Sequence, residues 1–129
     1  MMTPPPGKPT PTELDILRIL WARGPSTVRD VHETLQQSRP IGYTGVLKFL
    51  QIMTVKGSVR RDEAARAHFY EACQPEAKTK GDLVGDLIER AFGGSASQLI
   101  LHALSGKRAS PAEIDEIRRI LDEYERKPE

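Results

Sequence analysis

The side chains best placed to do chemistry in this chain are cations and amides gathered between Ile41 and Cys73. Thr44, Lys48 and Gln51 recur at helical spacing, opposite an apolar stripe of Val46, Phe49, Leu50 and Met53. A lysine can donate to guanine and a glutamine can pair with adenine, while a threonine can meet base edges or phosphate. Just downstream, Arg60, Arg61 and Arg66 flank the turn Asp62-Glu63-Ala64-Ala65, with His68 beyond. Guanidinium groups on a hairpin suit phosphate or minor-groove contact. Catalysis is poorly served. His32, His68 and His102 fall in three separate elements, and neither they nor Cys73 show a catalytic or metal-ligand spacing. No glycine loop is built to cradle a phosphate. The sequence therefore predicts no catalytic residue, no metal site and no cofactor, and an enzyme is not expected.

The elements that must position these groups can be read from the same stretch. A helix starts around Gly42-Tyr43 and ends at Gly57, and two strand-like stretches follow, Ser58–Arg61 and Ala67–Ala72. Val59 and Phe69 are expected to point inward. A helix running straight into a basic hairpin suggests a winged-helix reader of duplex DNA, with Thr44, Gly45, Lys48 and Gln51 presented to the major groove. Gly45 inside a helix costs about 1 kcal/mol relative to alanine; it either allows close approach to the sugar-phosphate backbone or has no role. Leu47, Ile52 and Val55 are too apolar for a simple solvated face and have no evident role beyond packing at the helix edges.

Upstream, residues 1–11 hold five of the ten prolines and are expected to form a disordered or polyproline-like arm. The first helix is expected near Thr12. Thr10-Pro11-Thr12-Glu13 offers a capping box with proline at the first helical position, and Thr12 is an alternative cap. Leu14, Leu17, Leu20 and Trp21 make its apolar face, and Gly24-Pro25 stops it. Ser26 or Thr27 caps the second helix, with Asp30 in its first turn and Val28, Val31 and Leu35 buried. Arg29 faces away near the helix start, where it could touch a phosphate.

Downstream of about Glu76 the pattern is helical again. Leu83, Val84, Leu87, Ile88 and Ala91 form a stripe ending at Phe92, and Gly93-Gly94 breaks it. Ser95 can cap a short helix with Leu99, Ile100, Ala103 and Leu104. Ser105 to Arg108 reads as a loop. Ser110-Pro111-Ala112-Glu113 is the clearest helix start in the chain, and Ile114, Ile117, Leu121 and Tyr124 follow as a narrow stripe. Three short helices after a complete small domain cannot bury all these stripes on themselves, so a two-fold homodimer is expected. The predicted domains are a winged helix over 12–73 and a helical dimerisation region over 74–129. The fold class is mainly α with a small two- to three-stranded antiparallel wing.

Composition agrees with a soluble, cytoplasmic protein: 38 % hydrophobic and 29 % charged residues. No apolar run approaches the roughly 20 residues that span a bilayer, and the N-terminus lacks a secretory h-region. One cysteine excludes an internal disulfide. The net charge of +1 hides an asymmetry, because residues 1–73 balance at +3 and residues 74–129 at −2. The basic half carries the candidate wing, which favours phosphate contact there. The serious rival is a winged-helix adaptor that contacts protein, which the near-neutral charge and the apolar Leu47 and Ile52 would suit.

Beyond this, the order of residues resembles a known family. Glu13-Leu14 through Leu20-Trp21, Gly24-Pro25 and Thr27-Val28-Arg29-Asp30-Val31 are similar to the opening of the penicillinase and methicillin-resistance repressors. Tyr43-Thr44 with Val46, Leu50 and Lys56-Gly57 resembles their recognition helix. Arg66-Ala67 with Tyr70 resembles their wing, and Ser110 to Leu121 their last helix. The resemblance covers roughly residues 12–125 and implies a homodimeric repressor on an inverted-repeat, double-stranded DNA operator. It puts Thr44, Gly45 and Lys48 at recognition-helix positions that approach DNA and Arg66 on the wing; Tyr43, at the start of that helix, is expected at the DNA with them. Family members often carry Thr where Gly45 and Lys48 stand and Arg where Ile52 stands; their wing glycine is Ala65 here. The resemblance also implies a membrane sensor protease as a partner; it cuts antibiotic-responsive members at an Asn-Phe whose place falls at about His102-Ala103 here, so cleavage itself is not carried over. The cysteine pairs of the copper-responsive branch are missing.

Overall fold

Three helices and a hairpin form around caps that the sequence specifies locally. In this computed structural model the described residues are 8–64, 66–107 and 109–126. Helix α1 spans Pro11–Arg23. Thr10 caps it: the Glu13 amide donates to Thr10 Oγ1 at 3.2 Å and the Thr10 amide donates to Glu13 Oε1 at 3.1 Å. Thr10 and Pro11, at the end of the Pro-rich segment, thus form the capping box and first helical position that Thr10-Pro11-Thr12-Glu13 offers; residues 1–7 of the expected arm lie outside the described residues. Helix α2, Val28–Leu35, repeats the device with Thr27 and Asp30. Helix α3, Tyr43–Lys56, ends at Gly57, whose left-handed φ of 87° lets the Ser58 amide reach back to Met53 O at 2.9 Å.

The wing is an antiparallel pair, β1 (Val59–Asp62) and β2 (Phe69–Ala72), with Val59 opposite Ala72 and Arg61 opposite Tyr70. Opposed residues share a face and successive residues alternate. Once Val59 points inward, Tyr70 must do so too, and Phe69 must not. Tyr70 is buried and Phe69 only half-buried, which corrects the expectation that Phe69 enters the core. The third strand is reduced to one bridge, in which Ser26 and Tyr70 exchange amide-to-carbonyl bonds of 2.9 and 2.8 Å.

The core lies among the three helices and the wing: Ile16, Leu17 and Leu20 from α1, Val28, Val31 and Leu35 from α2, Val46, Leu50 and Met53 from α3, then Val59 and Tyr70. On α1 the buried arc runs through Glu13, Ile16, Leu17 and Leu20, so Leu14 and Trp21 sit at its edges instead of its centre. Glu13 tolerates burial because Lys56 Nζ lies 2.7 Å from its Oε1, tying the start of α1 to the end of α3. Arg39 similarly grips Asp15, with two donors to Oδ2 at 3.0 and 2.6 Å. Trp21 Nε1 donates to Gln74 O at 3.0 Å, holding the chain that leaves the wing.

Helix α4, Glu76–Ala91, crosses from this compact unit, which ends at Leu83, into a second that starts at Val84. The second unit continues through α5 (Ala96–Leu104), a single 3-10 turn over Ser105–Lys107 and α6 (Pro111–Arg126). Ser95 and Ser110 accept from the third amides of α5 and α6, at 3.2 Å each. No side chain of α4, α5 or α6 is buried. Leu83, Ile88, Phe92, Leu99 and Ile117 are half-buried; Leu87, Ile100, Leu104, Ile114, Leu121 and Tyr124 are exposed. Leu101 and Ile120, absent from the expected apolar stripes, are exposed as well.

Candidate nucleic-acid interface

Burial of Val46, Leu50 and Met53 fixes which side of α3 is free. Thr44, Lys48 and Gln51 are all exposed on the opposite side, as the spacing predicts. Gly45 has a packing reason that the sequence did not reveal. A Cβ there would stand 3.0 Å from Cγ1 of Ile41, whose side chain folds over the start of α3. Leu47 packs against the core edge, but Ile52 and Val55 do not join the core: they are 41 % and 87 % exposed. The expectation that all three serve packing therefore holds for Leu47 alone.

Beside this face lies a cleft of about 480 Å³. It brings together Arg29 from the first turn of α2, Tyr43 from the first turn of α3, and Arg66 and His68 from the wing. These groups are up to 39 residues apart in sequence. His32 on α2 meets the Tyr43 ring edge to face, with centroids 6.1 Å apart at 80°, and so braces it. His68 and Thr27, which also lines the cleft, were not among the expected site residues. Alternation along the strand following Arg66 is the signal that could have picked out His68.

The four wing and helix arginines differ in how far they are already engaged. Arg60 Nε lies 2.7 Å from Glu71 across the strands, and this hydrogen bond is the main reason its proton is held more tightly than usual. Arg61, on the same face as Tyr70, is held likewise, first by a hydrogen bond with Tyr70 and then by Glu63, 3.1 Å away. Arg29, Lys48 and Arg66 have no ion pair among the described residues. Their charge is available to a polyanion without breaking an internal contact. No helix among the described residues is long and apolar enough to cross a membrane.

Three packed helices, a hairpin and a third helix with a free polar face define a winged-helix protein. The chain belongs to the penicillinase repressor family, whose model matches residues 9–123. It is 33 % identical over 115 residues to the transcriptional regulator BlaI of Mycobacterium tuberculosis, covering 88 % of this chain and 82 % of that protein. It is 19 % identical to the penicillinase repressor of Staphylococcus aureus, covering 89 % and 91 %. Among solved structures, the Bacillus licheniformis BlaI monomeric form in complex with the blaP half-operator matches with a TM-score of 0.50. That match has 15 % identity over 55 % of this chain and 87 % of the other, and it supports the winged-helix fold.

Proposed function

We propose that the chain is a transcriptional repressor that binds an inverted-repeat operator as a homodimer and does no catalysis. The observation that carries this reading is the convergence of unpaired cations on one side of the winged helix. Lys48, with Thr44 and Gln51, faces outward from α3, and Arg29 and Arg66 flank the adjoining cleft. In this reading α3 enters the major groove, where Lys48 and Gln51 meet base edges. Arg29 and Arg66 hold phosphates on either side, and Tyr43 packs against the backbone between them. Arg60 and Arg61 serve first to hold the wing in shape. Gly45 keeps the start of α3 close to Ile41.

The homodimer follows from the second unit. Its apolar side chains have no interior to fill, and a two-fold partner offering the same helices would cover them. Two protomers would then present two copies of α3 to two half-sites. The family relationship supports repression and a cytoplasmic location. Cleavage by a membrane sensor protease is no part of the proposal, since His102-Ala103 occupies the relevant place in α5.

Fluorescence anisotropy tests this, using the duplex upstream of the protein's own gene beside an unrelated duplex of equal length, each at two salt concentrations. Tight, salt-sensitive binding that prefers the upstream duplex is the expected result, with Lys48→Ala shifting the preference. Absence of binding to any duplex at low salt would reject the reading in favour of a protein-contact adaptor.

A further inference from the structure

Within the unit ending at Leu83, the exposed large apolar side chains among the described residues are Tyr43, Ile52 and Val55, and all three lie on α3. Tyr43 belongs to the cleft and rests on His32. Ile52 and Val55 rest on nothing that would explain them. Both are β-branched, which makes them weaker helix formers than alanine or leucine, so they are not there to stabilise α3. Val55 continues the outward row of Thr44 and Lys48, and Ile52 lies one turn beyond Lys48 at its side. That turn carries Ile52 about 6 Å along the helix axis, close to two base-pair steps of about 3.4 Å. Helix α3 has no acidic residue, so nothing on it repels a polyanion.

We infer that Ile52 reads a thymine methyl group in the major groove, while Val55 beside it only closes off water. This rests on the DNA-binding reading above and specifies the sequence it selects. The thymine C5-methyl is the apolar group that the major groove offers, and an aliphatic side chain pays no desolvation cost in meeting it. A charged residue at 52 would favour guanine or phosphate instead. The operator half-site is thus one with a T·A pair about two steps from the G·C pair contacted by Lys48. Val55 shields the methyl from water on the far side.

The full chain is first used to select binders from a pool of duplexes with a randomised core. The selected duplex is then remade with uracil in place of thymine, which removes only the methyl. The wild type is expected to bind the uracil form about fourfold more weakly per half-site, the equivalent of one buried methyl. Ile52→Ala, at an exposed position where alanine favours the helix, is expected to bind both forms alike. Equal affinity of the wild type for the two forms would overturn the inference while leaving DNA binding intact. A thymine preference that survives in Ile52→Ala would overturn it too, since another residue would then read the methyl. If no sequence is enriched from the pool even at low salt, the DNA-binding reading falls and this inference falls with it.

Discussion

The division of arginines into paired and unpaired ones predicts how operator binding responds to salt. Each phosphate neutralised by a cation releases counterions, and the slope of log K against log salt is about −0.9 per phosphate. Arg29 and Arg66 are unpaired, while Arg60 and Arg61 are held by Glu71 and Glu63 at 2.7 and 3.1 Å. If Lys48 spends its charge on bases, two protomers neutralise four phosphates and the slope is about −4. Raising salt fourfold then lowers affinity by about 150-fold. If the wing pairs opened on binding, four more phosphates would join and the slope would approach about −7. Anisotropy titrations at five or six salt concentrations measure this directly. Arg66→Ala removes one phosphate contact per protomer, so its slope is expected to be shallower by about 2. An Arg66→Ala slope equal to that of the wild type would refute the assignment of Arg66, and a wild-type slope near −7 would refute the idea that the wing pairs stay closed.

Three further perturbations test the scaffold. Lys56→Met leaves the carboxylate of Glu13, only 3 % exposed, without its cation. The cost is expected to be about 2 kcal/mol, below the usual range for breaking a buried pair because the Lys56 side chain is itself 28 % exposed. Urea denaturation measures it, and a loss under about 0.5 kcal/mol would show that the pair does not lock α1 to α3. Asp30 is lowered from its ordinary range, first by the Thr27 backbone amide and then by the Thr27 hydroxyl. Its charged form therefore stabilises the fold above the ordinary aspartate range, and that contribution disappears as pH falls through the lowered folded value. The stability gap between wild type and Asp30→Asn should be flat near neutrality and shrink in acid; a gap that widens on acidification contradicts the cap geometry. Leu121→Asp, at a side chain 49 % exposed, should leave the fold intact, halve the mass in sedimentation and weaken operator binding. An unchanged mass would remove Leu121 from the interface.

What the sequence disclosed was whatever depends on neighbours in the chain. The caps of Thr10, Thr27 and Ser110 and the stop at Gly57 are local devices, and each could be read from three or four consecutive residues. The free face of α3 was legible by subtraction, because three buried positions at helical spacing leave the others outside. Phe69 was expected inward and the burial of Tyr70 was not anticipated, since it depends on which residue of β1 Tyr70 faces, a fact set 9 residues away at Arg61. Glu13 was seen only as a cap, and its role as the buried partner of Lys56 needed the crossing of α1 and α3. The cleft joining Arg29, Tyr43 and Arg66 was invisible for the same reason. Each residue had been noted, but their meeting is tertiary.

The small number of unpaired cations also gives the proposed homodimer a physical reason. On the assignment proposed above, a single winged helix has two arginines for phosphates and one lysine for bases, too few contacts to hold a half-site tightly, and non-specific affinity of about 10⁻⁴ to 10⁻⁶ M is the natural range for such a surface. Joining two such modules turns the second encounter into an intramolecular one, which multiplies the affinity without any new contact to DNA. Operator occupancy then rises with the square of protomer concentration below the dimer dissociation constant. The exposed side chains of Leu87, Ile100, Leu121 and Tyr124 become as decisive for DNA binding as the residues that touch DNA. A signal that loosens those helices would release the operator without altering α3 or the wing. On this proposal, control would act through the association of the second unit.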